Sequence, residues 1–326
     1  MLLNRRDWLA YPTRWSLGLA IAPFGWLGAC AAGSGTDGIS EIEGEQIQEV
    51  RSGRTLNIVQ TIERIRHADV VLLGELHDNP HHHQRRADLL TALGMPIPVV
   101  VEYLPRGATP SLLSSADAQA LLQALERVGF DAEGWQWPLH QPLFAAIARS
   151  GDLLRGGNLP RETTRRVARE GIAALPVELQ AILQAAPLAP TARRSLERDL
   201  QDGHCGQLGA SHLPAMVAVQ RGRDAAMALA LITELDAWRS KQGRGPVLLL
   251  AGNGHVRRDY GVPQLLAAQR PELRLLAIEF AEPPQEAAPP DAPFDIVWKT
   301  PMAVRGDPCA AFTAPKVKKQ SAFERL

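Results

Sequence analysis

The sequence predicts an α/β fold: a mainly parallel sheet flanked by helices, with a small helical lobe inserted. Three observations carry that prediction. Short apolar runs end in turn residues, helical periodicity fills the gaps between them, and the runs are apolar at consecutive positions, as strands covered on both faces are. The runs fall at residues 69–74, 97–102, 246–252, 273–278 and 295–298, with a weaker one near 152–155. Helical patterns occupy residues 80–93, 116–128, 142–148 and 213–238. Residues 160–205 keep the helical pattern without a strand and read as the inserted lobe. The Pro/Ala-rich stretch 282–293 reads as a loop, and residues 301–326, with Lys316, Lys318 and Lys319, as a loose tail. The main domain is thus expected over residues 54–300.

Composition narrows the class. Of 326 residues, 35 are Lys or Arg and 35 Asp or Glu, with 45% hydrophobic and 21% charged, the make-up of a globular chain. The balanced charge excludes the broad basic field of a non-specific nucleic-acid binder. The first 29 residues order themselves differently: Arg5, Arg6 and Arg14, then a Pro/Gly-broken apolar run, then Leu27-Gly28-Ala29-Cys30. Charged, apolar and small-residue segments in that order are an export signal, too short and too broken to span a bilayer. Its end resembles a bacterial lipobox, which implies acylation at Cys30 and a lipid-held envelope protein. Residue 31 is Ala31 rather than the aspartate associated with inner-membrane retention, which points to the outer membrane. Arg5-Arg6 leaves both the general and the twin-arginine export routes open. Residues 30–53 then read as lipidated cysteine and tether. Removing residues 1–29 takes three arginines and one aspartate, so the mature chain is slightly acidic.

In open α/β sheets ligands bind beyond the carboxyl ends of strands, and the polar residues cluster there. Gly74-Glu75-Leu76-His77-Asp78-Asn79-Pro80-His81-His82-His83 follows one strand, Glu102-Tyr103 another, and Gly252-Asn253-Gly254-His255-Val256-Arg257-Arg258 a third. Glu75, His77, Glu102 and His255 are the set that a metal-dependent hydrolase would use, with a divalent ion activating water. The two glutamates equally suit capping of backbone amides, or pairing with Arg257 or Arg258. His77 and His81 have helical metal spacing, but Pro80 between them starts the helix and separates their faces. Trp135 and Trp137 beside His140 form either a ligand wall or a packing staple. His204 stands with Cys205 at the end of the lobe. There is no nucleophile elbow, P-loop or complete dinucleotide fingerprint.

These motifs, with Asn158-Leu159-Pro160-Arg161, Gln220-x-x-Arg223-Asp224-x-x-Met227-Ala228 and Gly261-Val262-Pro263, resemble the ChaN-like family of haem-binding uptake lipoproteins over roughly residues 57–300. Distant kinship with erythromycin esterase and Tiki-type metalloproteases keeps the hydrolase alternative in view. The resemblance implies haem as cofactor, bound in the best-known case between two subunits with a tyrosine on the iron. It also implies a homodimer and an outer-membrane haem receptor as partners. This chain departs from many relatives in carrying His140 near a tyrosine position, so an imidazole of His140, His204 or His77 is expected on the iron. Propionates would seek Arg106, Arg161, Arg257 or Arg258, and Trp135, Trp137 and Met216 would wall the ring. Cys205 and Cys309, left in an oxidising compartment once Cys30 is acylated, are expected to pair.

Overall fold

The chain from residue 46 to 105 forms β1 (Gln46–Glu49), β2 (Thr55–Leu56), α1 (Ile58–His67), β3 (Val70–Leu73), α2 (Pro80–Leu93) and β4 (Pro98–Pro105). The computed structural model describes residues 39, 42–114, 116–283, 287–307, 309 and 310. Next come α3 (Ala118–Glu126), α4 (Gln141–Ser150), β5 (Leu153–Asn158), α5 (Arg161–Glu170), α6 (Val177–Ala185) and α7 (Pro190–Asp202). The rest is α8 (Leu213–Ser240), β6 (Val247–Leu250), α9 (Asn253–Val256), α10 (Val262–Gln269), β7 (Leu275–Ala281) and β8 (Ile296–Lys299). The strand order is β2-β1-β8-β7-β3-β6-β4-β5, parallel from β8 to β5 and antiparallel where β1 meets β2 and β8. No helix among the described residues is long and apolar enough to cross a membrane. The export signal and Cys30 lie outside the described residues.

Strand periodicity divides the core in two. Val71, Leu73, Val99, Val101, Leu248 and Leu250 face one layer, with Leu89 and Leu90 of α2 and Phe144 of α4. Val70, Leu72, Val100, Val247 and Leu249 face the other, with Ala225, Met227 and Leu231 of α8. Each strand therefore buries alternate residues on opposite faces, so every position is apolar. Local chemistry fixes the helix that leads into the first strand-end motif. The Asn79 side chain accepts from the His81 and His82 amides, Pro80 begins α2, and Gly94 ends it with φ 67°.

Two expected boundaries move. Strand β1 lies inside the stretch read as tether: Ile47 pairs with Trp298 on β8, and Ile47 and Val50 are buried. An antiparallel edge strand needs only one apolar face, and four mostly polar residues carry too little signal to be read. At the other end, residues 301–307 are docked rather than loose. The Asn79 amide donates to the Pro301 carbonyl, Arg305 meets Asp78 and Glu282, and Cys309 is disulfide-bonded to Cys205. The lobe forms helices α5 to α7 as expected, but its Val167, Leu179 and Ile182 join the core layer beneath α8.

Candidate functional site

The heads of β3, β6 and β4 stand side by side, with β6 in the middle. Glu75 and Glu102 therefore do not share adjacent strands, and each gathers its own cluster. The alternation of a strand places Tyr103 with Glu75 and turns Glu102 the other way, toward α8.

Glu75 is buried among donors, with Oε1 hydrogen-bonded and Oε2 ion-paired without a hydrogen bond. His77 Nδ1 lies 2.6 Å from its Oε1, the Tyr103 hydroxyl donates to the same oxygen at 2.8 Å, and the Arg86 guanidinium pairs with Oε2. Arg86 also donates to His83 Nδ1 at 2.8 Å, which leaves the His83 proton on Nε2, donating to the His77 carbonyl at 2.8 Å. Burial pushes His83 down to about 4 and His140 down to about 2, so both imidazoles are neutral. Glu75, His83 and His140 offer three ligand atoms within 4.8 Å of one another. Arg86 already supplies the cation there, so this cluster is an organising core for His77.

Glu102 is ringed by other groups. The Gly252 amide donates to its Oε2 at 2.8 Å, and His255 Nε2 stands 3.3 Å from Oε1. His255 Nδ1 lies 2.6 Å from Asp224 on α8. Burial pulls His255 down, but the carboxylates of Glu102 and Asp224 outweigh it and carry the imidazole to about 10. Burial likewise acts to raise Glu102, yet the His255 charge and hydrogen bond hold it well below the usual carboxylate range. Both nitrogens of His255 thus face carboxylates, and the four residues of the hydrolase reading divide into two pairs, Glu75 with His77 and Glu102 with His255.

His77 connects the clusters and is the group turned outward. Its side chain is 45% exposed, and Glu75 at Nδ1 leaves the lone pair on Nε2, the arrangement by which a carboxylate orients a metal-binding imidazole. A Cβ on Gly252 would stand 2.9 Å from Nε2, so the absence of a side chain there is what admits the ring. His77 opens into a cleft of about 760 Å³ that Leu76, His204, Arg223, Asn253, His255 and Tyr260 also line. Trp135 meets the His77 ring edge-on at 5.2 Å and lines a second cleft of about 510 Å³ with Glu102, Asn158 and Arg161. An oriented imidazole beside exposed Leu76 and an indole suits a flat apolar ligand carrying a metal.

The other expected residues divide. His140 is wholly buried, 4.1 Å from His83 and 4.5 Å from Tyr103 between ring centroids, and is out of reach of a ligand of haem's size. It precedes α4, whose apolar face draws it inward. His204 lines the larger cleft and donates through Nδ1 to the Leu200 carbonyl at 2.7 Å. Trp137 packs on Phe130 and Phe144 as a staple. Arg257 lines the larger cleft, tied to Asp259 and Asp199, and Arg258 is tied to Asp295, so neither pairs with Glu75 or Glu102. Met216 is absent from the lining of both clefts. Tyr103 and Tyr260 are buried with their hydroxyls bound to Glu75 and Asp199, and burial raises both, Tyr103 to about 12. Arg86, Arg223 and Asp224 emerge from the structure as parts of the site. Polar residues at 220, 223 and 224, which share one helical face of α8, were the available signal.

A parallel α/β sheet with an oriented histidine at its carboxyl edge defines the class. Residues 61–266 match the family model described as "Haem-binding uptake, Tiki superfamily, ChaN", and the chain belongs to that family. Among solved structures it is similar to one titled "Cofacial heme binding to ChaN of Campylobacter jejuni", with 19% identity and a TM-score of 0.61. That match covers 78% of this chain and 96% of the other. A weaker likeness, with 14% identity and a TM-score of 0.36, is to the type III effector HopBA1, over 73% of this chain and 90% of that one. No curated protein sequence matches the chain.

Proposed function

We propose that the protein binds haem in the larger cleft through His77 Nε2, as a lipid-anchored protein of the cell envelope serving iron uptake or trafficking. The observation that carries this reading is the outward imidazole of His77, fixed in one tautomer by a buried carboxylate. Family membership and the haem named for the Campylobacter jejuni relative support the choice of ligand. Bound haem would supply a redox-active iron. The chain's part is to orient the imidazole through Glu75 and to flank it with Leu76 and Trp135. Both described tyrosines are engaged and buried, which favours imidazole over phenolate. The envelope address and the anchor at Cys30 rest on the order of the N-terminal segments. A second copy of the chain and an outer-membrane haem receptor are the partners that the family resemblance suggests for this reading.

Hemin titration tests it. A shifted Soret band at micromolar protein, moved or lost in His77→Ala and kept in His140→Ala, is expected; no shift in the wild type overturns the reading. A stoichiometric divalent ion lost on substituting His77 or His255 would favour a metal-dependent hydrolase instead. For the anchor, Cys30→Ser should abolish palmitate labelling and release the protein from the membrane fraction.

A further inference from the structure

The arginines around the two clefts differ in company. Arg257 sits 2.9 Å from Asp259 and 3.0 Å from Asp199, with its guanidinium over the Tyr260 ring. Arg106 reaches Glu178 at 3.0 Å, Arg258 reaches Asp295 at 2.6 Å, and Arg161 stands 3.7 Å from Asp131. Arg161 and Arg223 both stand beyond hydrogen-bond reach of a carboxylate, and Arg223 differs in what shields it. Its nearest carboxylate, Glu102, is 3.8 Å away, beyond hydrogen-bond reach, and its Nε is shielded from solvent with no partner. Glu102 takes its hydrogen bonds from Gly252 and His255, and Arg223 adds charge alone.

Position gives this guanidinium its meaning. Arg223 is the one residue among those described that lines both clefts. Its side chain is 34% exposed, and the clefts meet where Trp135, on the smaller, packs against His77, on the larger. Guanidinium presents five donors in a planar fork that matches a carboxylate in two-point contact. A shielded donor without an acceptor is unfavourable, and an anionic ligand group entering the junction would provide acceptors.

We propose that Arg223 is the carboxylate-binding residue of the ligand site, receiving a haem propionate where the two clefts meet. The assignment rests on the haem reading, and it is preferred to Arg106, Arg257 and Arg258, which hold carboxylates within hydrogen-bond reach, and to Arg161, which lines the smaller cleft alone.

The test compares hemin with hemin dimethyl ester, whose propionates carry no charge, on the wild-type chain and on Arg223→Gln, Arg223→Lys and Arg258→Gln. The wild type is expected to bind hemin about 10- to 100-fold more tightly than the ester, as charged hydrogen bonds of this kind allow. Arg223→Gln should lose that preference by weakening hemin alone, and Arg223→Lys should keep part of it. Arg258→Gln, outside both clefts, should retain it in full. Equal wild-type affinity for the two compounds, or an unchanged preference in Arg223→Gln, overturns the assignment and leaves the haem reading standing. Binding of neither compound by the wild type overturns both. If Arg223→Gln does not fold, the wild-type comparison of acid and ester decides alone.

Discussion

Glu75 and Glu102 stand at the heads of β3 and β4, both buried, one strand apart, and they are kept charged in different ways. Glu75 is paired with the permanent cation of Arg86, inside a shell of neutral histidines. Glu102 is paired with an imidazole that is charged only because Glu102 and Asp224 make it so. The first arrangement pairs Glu75 with a guanidinium and orients His77. The second is bound to pH through His255, and it borders the cleft where Arg223 stands.

The largest effect should come from breaking the permanent pair. Arg86→Met leaves Glu75 buried without its cation and is expected to lower stability by about 3–5 kcal/mol at pH 7. Adding Glu75→Gln should restore a large part, because the stranded charge is then gone. Urea unfolding of the two variants measures both. A loss below about 1 kcal/mol in Arg86→Met would mean that the neighbouring donors suffice without the guanidinium.

The imidazole side differs in its pH dependence. A histidine whose folded pKa is raised contributes stability that is full below about 6.5, its unfolded value, and is lost as pH rises. His255, at about 10 when folded, therefore makes the haem-free protein less stable between about pH 6.5 and 10. The Glu75 side slopes oppositely. His83 and His140 are depressed to about 4 and about 2, so stability falls as pH drops below about 6.5 and the unfolded chain takes up protons. In His255→Gln the alkaline slope above about pH 8 should vanish and the acid slope remain, with a loss of about 1–2 kcal/mol at pH 7 because glutamine still hydrogen-bonds. Urea midpoints from pH 5 to 10 would show it; a slope surviving above about pH 8 in His255→Gln would move the titrating group elsewhere.

These clusters also mark how far sequence reasoning reaches. The continuous apolar runs of β3 and β6 and the Asn79-Pro80 start of α2 are written locally, so those elements are legible, as are Glu75, His77, Glu102 and His255 at strand ends. What is not local is the strand order. Nothing in the chain says that β6 falls between β3 and β4, and that insertion separates the two glutamates. Arg86 and Asp224 lie mid-helix, and their roles depend on which way α2 and α8 turn when packed. His140 looks like a ligand because of its aromatic neighbours, the same neighbours that bury it.

A third carboxylate completes the comparison by having no cation among the described residues. Asp152 lies at the opposite end of the sheet, just before β5, where Oδ1 accepts from the Ile97 amide at 3.0 Å and Oδ2 is shielded with no partner. Burial, only partly offset by that amide, raises its pKa to about 7. A raised carboxylate means that the folded state keeps its proton longer than the unfolded chain, so stability falls as pH climbs from about 4 through about 7. Asp152→Asn preserves the acceptor for Ile97 and removes the ionisation. It should leave stability at pH 4 unchanged and raise it by about 1–2 kcal/mol at pH 8, less than the full shift implies because water reaches this half-buried site. Glu75 or Glu102 changed to the amide would lose a matched cation; Asp152 has none to lose. A destabilised Asp152→Asn at pH 8 would show that a cation does serve this carboxylate, and the contrast among the three would collapse.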